Sequence, residues 1–175
     1  FVANYGNLPG ARIGAVQGKT WTEVVECYRF MKKNADYIAI SFDFSMYQIT
    51  GNSISWADSD PKLKRQATGR QNLVKRLIDE GEWEWDKPHH LLGASLASEF
   101  KWYVDNNIYN IRSLDTSNPV VAGILGHTYN GDFGLSIKPK TLLADLIEAE
   151  PDEDAVERIL YNTSQFKRII KRKYW

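Results

Sequence analysis

Cysteine is almost absent from this chain: Cys27 is the only one among 175 residues. That excludes an internal disulfide framework and any zinc site built from several cysteines of this chain. Histidine is nearly as scarce, with only His89, His90 and His127. Net charge is lacking too, since 22 Lys and Arg balance 22 Asp and Glu. A polyanionic partner is therefore not legible in the total charge and has to be sought in local clusters. No apolar run approaches the ~20 residues of a membrane-spanning helix, and no signal-peptide pattern opens the sequence. No membrane association and a cytoplasmic location are expected. Apolar residues are plentiful, at 43% of the chain, enough for the core of a single domain.

Strand-like and helix-like segments alternate. Arg12 to Gly18 is a short β-type run, followed by Thr22 to Asn34 with Val24, Val25, Tyr28 and Met31 at helical spacing. Thr20 or Thr22 is placed to cap that helix, with acids in its first turns. Cys27 falls in this apolar pattern and reads as a small buried thiol. Tyr37 to Phe42 is nearly all apolar, as expected of a strand covered on both faces of a parallel sheet. After an irregular stretch over 43–61, a helix is predicted from Pro61 to about Glu80, its buried stripe running from Leu63 through Ala67 and Leu73 to Ile78. Pro88 to Ala94 is the third strand, Ser98 caps a helix reaching Asn107, and Ile111 to Asp115 is the fourth strand. Pro119 to Leu125 starts another helix, and Thr141 to Trp175 reads as two more, broken near Pro151.

Four β-α units in succession imply an α/β fold with a parallel sheet, either doubly wound or a (β/α) barrel of TIM type. Four strands do not close a barrel of eight. With a strand pattern so soon after Phe1, the barrel alternative expects the other half upstream or on a second chain.

In both architectures ligands bind at the carboxyl ends of the strands. There the sequence delivers Gln17 and Gly18, Ser41, Phe42 and Asp43, Ala94 and Ser95, and Ser113 to Thr116. Asp43 and Asp115 each have an ordinary reading as turn or helix-cap residues. Their convergence with an amide and exposed backbone suits hydrogen-bonded recognition of a heterocycle, and a carboxylate supplies a nucleophile. His89 and His90 read as strand-edge residues rather than metal ligands.

Several of these segments resemble one family. Arg12 to Gly18 is similar to the G-x-V-Q-G strand of the tRNA-guanine transglycosylases. Tyr37 to Ser41 resembles that family's Y-A-x-G-G-L unit, and Lys87 to Ala94 its K-P-x-Y-L-M-G-V strand. Ile111 to Pro119 falls where the family carries its nucleophile strand and proline loop. Order and rough spacing agree over residues 12–126. The resemblance implies the C-terminal half of a (β/α) barrel over residues 1–140, with a basic helical insertion at about 44–86 and a helical tail over 141–175. It implies base exchange, a 7-deazaguanine replacing guanine in DNA or tRNA. Asp115 would attack the anomeric carbon and form a glycosyl intermediate, as in retaining glycosidases. Gln17 and Gly18, with Ser41, Phe42 and Asp43, would hold the base. The family's C-x-C-x-x-C zinc motif has no counterpart, so no cofactor is expected in this chain. That departure, with the longer basic stretch, resembles the phage and bacterial branch acting on DNA.

Charge is segregated locally. Lys62, Lys64, Arg65, Arg70, Lys75 and Arg76 lie between Pro61 and Leu77 with no acid among them, and Lys167 to Lys173 forms a second basic cluster. A solvated helix face is the plain explanation; phosphate contact with a nucleic acid is the functional one. Trp21 and Trp56 are placed either to stack an unpaired base or to fill the core. Two other readings stay open: a barrel enzyme acting on a small sugar or phosphorylated substrate, and a non-catalytic half-barrel that binds nucleic acid.

Overall fold

A computed structural model describes residues 9–42, 61–94, 96–97, 99–129, 141, 143–148 and 150–170, the side chains of 61–66 and 143 aside. Its first strand, β1 (Ile13–Val16), is followed by helix α1 (Trp21–Asn34). Thr20 has extended backbone and its hydroxyl accepts the Glu23 N–H, while the Glu23 carboxylate accepts the Lys19 N–H at 2.7 Å. This reciprocal arrangement satisfies amides left open at a helix start. Three further units follow: β2 (Tyr37–Ile40) and α2 (Pro61–Asp79), β3 (His89–Leu91) and α3 (Glu99–Asp105), β4 (Ile111–Leu114) and α4 (Asn118–Ile124). A 3-10 turn at Leu143–Leu146 and helix α5 (Glu153–Ile170) complete the described elements. Among the described residues, the part of the tail before Pro151 thus carries a 3-10 turn where the sequence suggested a full helix. Ser98 lies outside the described residues.

All four strands are parallel and lie in the order β1-β2-β3-β4. Each strand therefore pairs with its sequence neighbour, as expected from the β-α repeat. Paired residues in parallel strands point to the same side, so the register defines two faces. One face carries Val16, Ile40 and Leu91, all fully buried, and meets Tyr28, Leu73, Leu77 and Phe100 in a single core. Phe166 and Ile169 of α5 belong to that same core. Asn162 of α5 accepts the Tyr129 N–H and donates to the carbonyls of His127 and Pro119. Cys27 is only half-buried, its thiol accepting the Gln17 N–H at 3.4 Å.

A bulge interrupts the β3–β4 ladder. His89 pairs with Ile111, but His90 pairs with Ser113, leaving Arg112 as the extra residue. Unbroken alternation would put 111, 113 and 115 on one face. The bulge instead turns Ile111 toward the core with His89 and places Ser113 beside His90 on the opposite face.

His89 is not a strand-edge residue. It is buried in an interior strand, stacked on Trp83 at 3.8 Å between ring centroids. The Tyr28 hydroxyl lies 2.9 Å from its Nε2, and the Lys87 carbonyl 3.0 Å from its Nδ1. Burial keeps the phenol protonated, so Tyr28 donates to Nε2 and the ring proton sits on Nδ1. Burial also drives the His89 pKa from 6.5 to about 4. The unfolded chain therefore binds a proton that the folded chain rejects. The stabilisation is complete above about pH 6.5 and is lost as pH falls toward 4, by up to about 3 kcal/mol. Urea unfolding across that range is expected to show the loss, and His89→Gln to flatten it. A wild-type stability that stays level from pH 6.5 to 4.5 would contradict a buried neutral imidazole.

Candidate active site

The second face of the sheet differs in chemistry from the core face. Its row across the strands is Ala15, Ala39, His90 and Ser113. Extending the alternation by one step toward the carboxyl ends gives Gln17, Ser41, Leu92 and Asp115. Between β2, β3 and β4 the ladder continues through this step, because the Leu92 N–H reaches the Ile40 carbonyl and the Asp115 N–H the Leu91 carbonyl, whereas the Gln17 N–H turns to the Cys27 thiol. Three polar residues singled out from the sequence thus share one row. Gln17 is exposed and Ser41 half-buried. With strands about 4.8 Å apart, β1 and β4 are separated by roughly 14 Å.

Asp115 has the most detailed setting. Its side chain is 61% exposed, and Oδ1 accepts the Gly93 N–H at 3.2 Å. His90 Nε2 lies 3.1 Å from the same oxygen, and His90 Nδ1 lies 2.8 Å from the Ser113 hydroxyl. The imidazole is 13% exposed and wedged between the two. Gly93 reaches the carboxylate from a backbone with φ of +62°, a conformation open to glycine and costly for most other residues. His90 is a functional candidate that the sequence pattern presents only as a strand-edge residue. A signal is nevertheless present: neighbouring strand residues face opposite ways, so only one of His89 and His90 belongs to the core.

The remaining expected site residues separate into distinct cases. Gly18 packs against the first turn of α1, where a Cβ would lie 2.6 Å from the Val24 amide nitrogen. That packing accounts for the glycine without a ligand. Phe42 packs on Ala67 and Leu96, with the Arg70 guanidinium 4.8 Å from its ring. Asp43, Ser95 and Trp56 lie outside the described residues, as do the side chains of Lys62, Lys64 and Arg65.

Arg70 requires a correction. Expected among the phosphate-binding cations, it is fully buried and forms a two-pronged ion pair with Glu99, both bonds at 2.7 Å. It also donates to the Leu92 carbonyl at 2.7 Å, and Tyr103 donates to Glu99 at 2.8 Å. Periodicity places Arg70 on the stripe with Leu73 and Leu77, and burial of a cation there depended on an acid from another unit. Lys75 pairs with Asp79 at the end of their helix, and Arg76 with Glu80 just beyond it. Arg76 also covers the Trp21 ring at 4.0 Å, and the Trp21 indole donates to Glu80.

A cavity of about 700 Å³ lies along β4, lined by Phe100, Leu114, Asp115, Pro119, Phe166 and Lys167 among others. It extends the apolar space between the sheet and its helices beyond the last described strand. Among the described residues, no cluster of three or more His, Cys, Asp or Glu residues is arranged to hold a metal ion, and no helix is long and apolar enough to cross a membrane. No family model, curated protein or solved structure matches the chain.

Proposed function

We propose that this chain is half of a parallel (β/α) barrel that exchanges a base in a nucleic acid, with Asp115 as the nucleophile. The observation that carries the proposal is the row of Gln17, Ser41 and Asp115 at the carboxyl ends of sequentially ordered parallel strands, with Asp115 exposed and oriented by Gly93 and His90. Right-handed crossovers that always step to the next strand keep their helices on one side, as a barrel requires and a doubly wound sheet does not.

In this mechanism a carboxylate oxygen of Asp115 bonds to the anomeric carbon as the bond to guanine breaks. The departing guanine takes the electron pair and gains a proton. A 7-deazaguanine then forms the new carbon–nitrogen bond, loses its ring N–H proton and releases the carboxylate. Gln17 and the backbone at Ser41 hold the base. The test is incorporation of a labelled 7-deazaguanine into duplex DNA and into tRNA, with the other half-barrel supplied. Absence of label from both would dismiss the proposal.

Of the six cations of α2, Lys62, Lys64 and Arg65 remain as candidates for phosphate binding. Changing Lys62 and Lys64 to Ala is expected to flatten the salt dependence of nucleic-acid binding by about one unit of slope for each phosphate no longer neutralised. Lys75→Ala, already paired with Asp79, should leave it unchanged. Equal slopes for wild type and the double variant would return these residues to a solvated helix face.

A second reading takes the same hydrogen bonds as a Ser–His–Asp series, with Ser113 as a hydrolytic nucleophile. In such a triad the aspartate is buried and the serine meets the substrate. Here Asp115 is the outermost of the three along the strand direction and is 61% exposed, which favours Asp115 as the reacting group.

A further inference from the structure

The surroundings of Asp115 are one-sided. Among the described residues, both of its side-chain hydrogen bonds go to Oδ1, one from the Gly93 N–H and one from His90 Nε2. Donation from Nε2 requires the proton on that nitrogen, which leaves Nδ1 of a neutral ring as an acceptor. The Ser113 hydroxyl lies 2.8 Å from Nδ1 and can donate to it. The Asp115 carboxylate, an acceptor only, thus selects the ring form that presents its N–H, and the Ser113 hydroxyl supports that form by donating to the other nitrogen. Two donors fix Oδ1 in place, and Oδ2 is the oxygen left to face the substrate.

We infer that His90 is a positioning residue that locks the Asp115 carboxylate in its attacking orientation, with Ser113 holding the ring in place through its second nitrogen. The inference rests on the transglycosylase reading of Asp115 and extends it to two residues outside that reading. A role in protonating the departing base is excluded by direction. His90 stands on the nucleophile's side of the sugar, and the base leaves from the opposite side in an in-line displacement. Nor is the imidazole needed for packing in the way of His89. It belongs to the polar row, and the aromatic stack on the other face forms without it.

The experiment compares steady-state exchange and trapping of the covalent adduct in wild type, His90→Phe, His90→Gln and Ser113→Ala. Phe keeps a planar ring but donates nothing, so kcat is expected to fall about 100-fold, the order of effect of misplacing a reacting group. KM for nucleic acid and the melting temperature should stay near wild type, and the adduct should still form on Asp115, slowly. Gln places an amide N–H near the position of Nε2 and should recover most of the loss. Ser113→Ala should lower kcat by about 10-fold, as loss of an outer orienting hydrogen bond does. Wild-type kcat in His90→Phe overturns the inference, as does a loss carried wholly by KM. A Gln variant as slow as Phe also overturns it, because an imidazole-specific role would then be required. An active wild type with an indifferent His90 refutes the positioning role alone. A wild type that neither exchanges bases nor forms an adduct refutes the transglycosylase reading, and the positioning role with it.

Discussion

Asp115→Asn is expected to keep the fold and to lower base exchange by on the order of 10⁶-fold, the scale on which enzymes lose activity when a covalent nucleophile is removed. Asn keeps an oxygen where Oδ1 accepts from Gly93 and His90. What disappears is the negative charge and the second oxygen, the atom that would bond to the anomeric carbon. Because the side chain is 61% exposed, unfolding free energy should change by less than about 0.5 kcal/mol. Wild-type protein incubated with nucleic acid should yield an adduct on the peptide containing Asp115, and the Asn variant none. An adduct on Ser113 would establish the hydrolytic series instead. One on Asp43, or full exchange by the Asn variant, would show that the nucleophile lies elsewhere.

The second large effect concerns stability. Arg70 and Glu99 are both fully buried and hold each other with two hydrogen bonds. Removing the cation leaves a desolvated carboxylate unpaired, and breaking such a pair costs about 3–5 kcal/mol. Against a total stability of about 5–15 kcal/mol for a domain, Arg70→Met should be severely destabilised or fail to fold. Arg70→Met combined with Glu99→Leu removes both charges, and should unfold at a higher urea concentration than Arg70→Met alone. A phosphate-binding Arg70 would give the reverse pattern, weaker nucleic-acid binding at unchanged stability. Urea unfolding of the two variants decides between them. A single variant within about 1 kcal/mol of wild type would mean that the buried pair is not a structural clamp.

Asp115 and Arg70 also mark how far the sequence can be read. The strands at 13–16 and 37–40 are legible because short apolar runs bounded by Gly, Ser and charged residues leave few alternatives. Parallel order follows from the β-α repeat. Asp115 is legible by its place just past an apolar strand, but its face is not, since unbroken alternation would group it with Ile111. Ile111 faces the core, and Ser113 and Asp115 reach the His90 side only because the bulge at Arg112 shifts the register. A bulge is a tertiary event set by the neighbouring strand, so a one-dimensional pattern does not contain it. Arg70 misleads for a similar reason. Local composition places it in a run of cations, whereas its fate is decided by Glu99, which follows β3 in the next β-α unit. His89 and His90 are adjacent and chemically identical, yet one is a buried neutral ring and the other sits beside a carboxylate. Their difference lies in the direction of each side chain.

The pairing of β2 with β3 also has a kinetic consequence. Ile38 meets His89 across an intervening chain more than twice as long as that joining Ile13 to Tyr37 or His89 to Ile111. The entropy lost in closing a loop grows with its length, and long-range pairings are correspondingly slow to form. The β1-α1-β2 and β3-α3-β4 segments can each assemble from nearby residues, whereas joining them must await the long closure. Arg70 spans that junction, touching the carbonyl of Ile40 in β2, that of Leu92 just past β3 and the carboxylate of Glu99. Glu99 of the second segment compensates its charge, and the contact to Ile40 closes only once both segments have met, so the full clamp acts late, as a lock on a completed sheet rather than a nucleus for it.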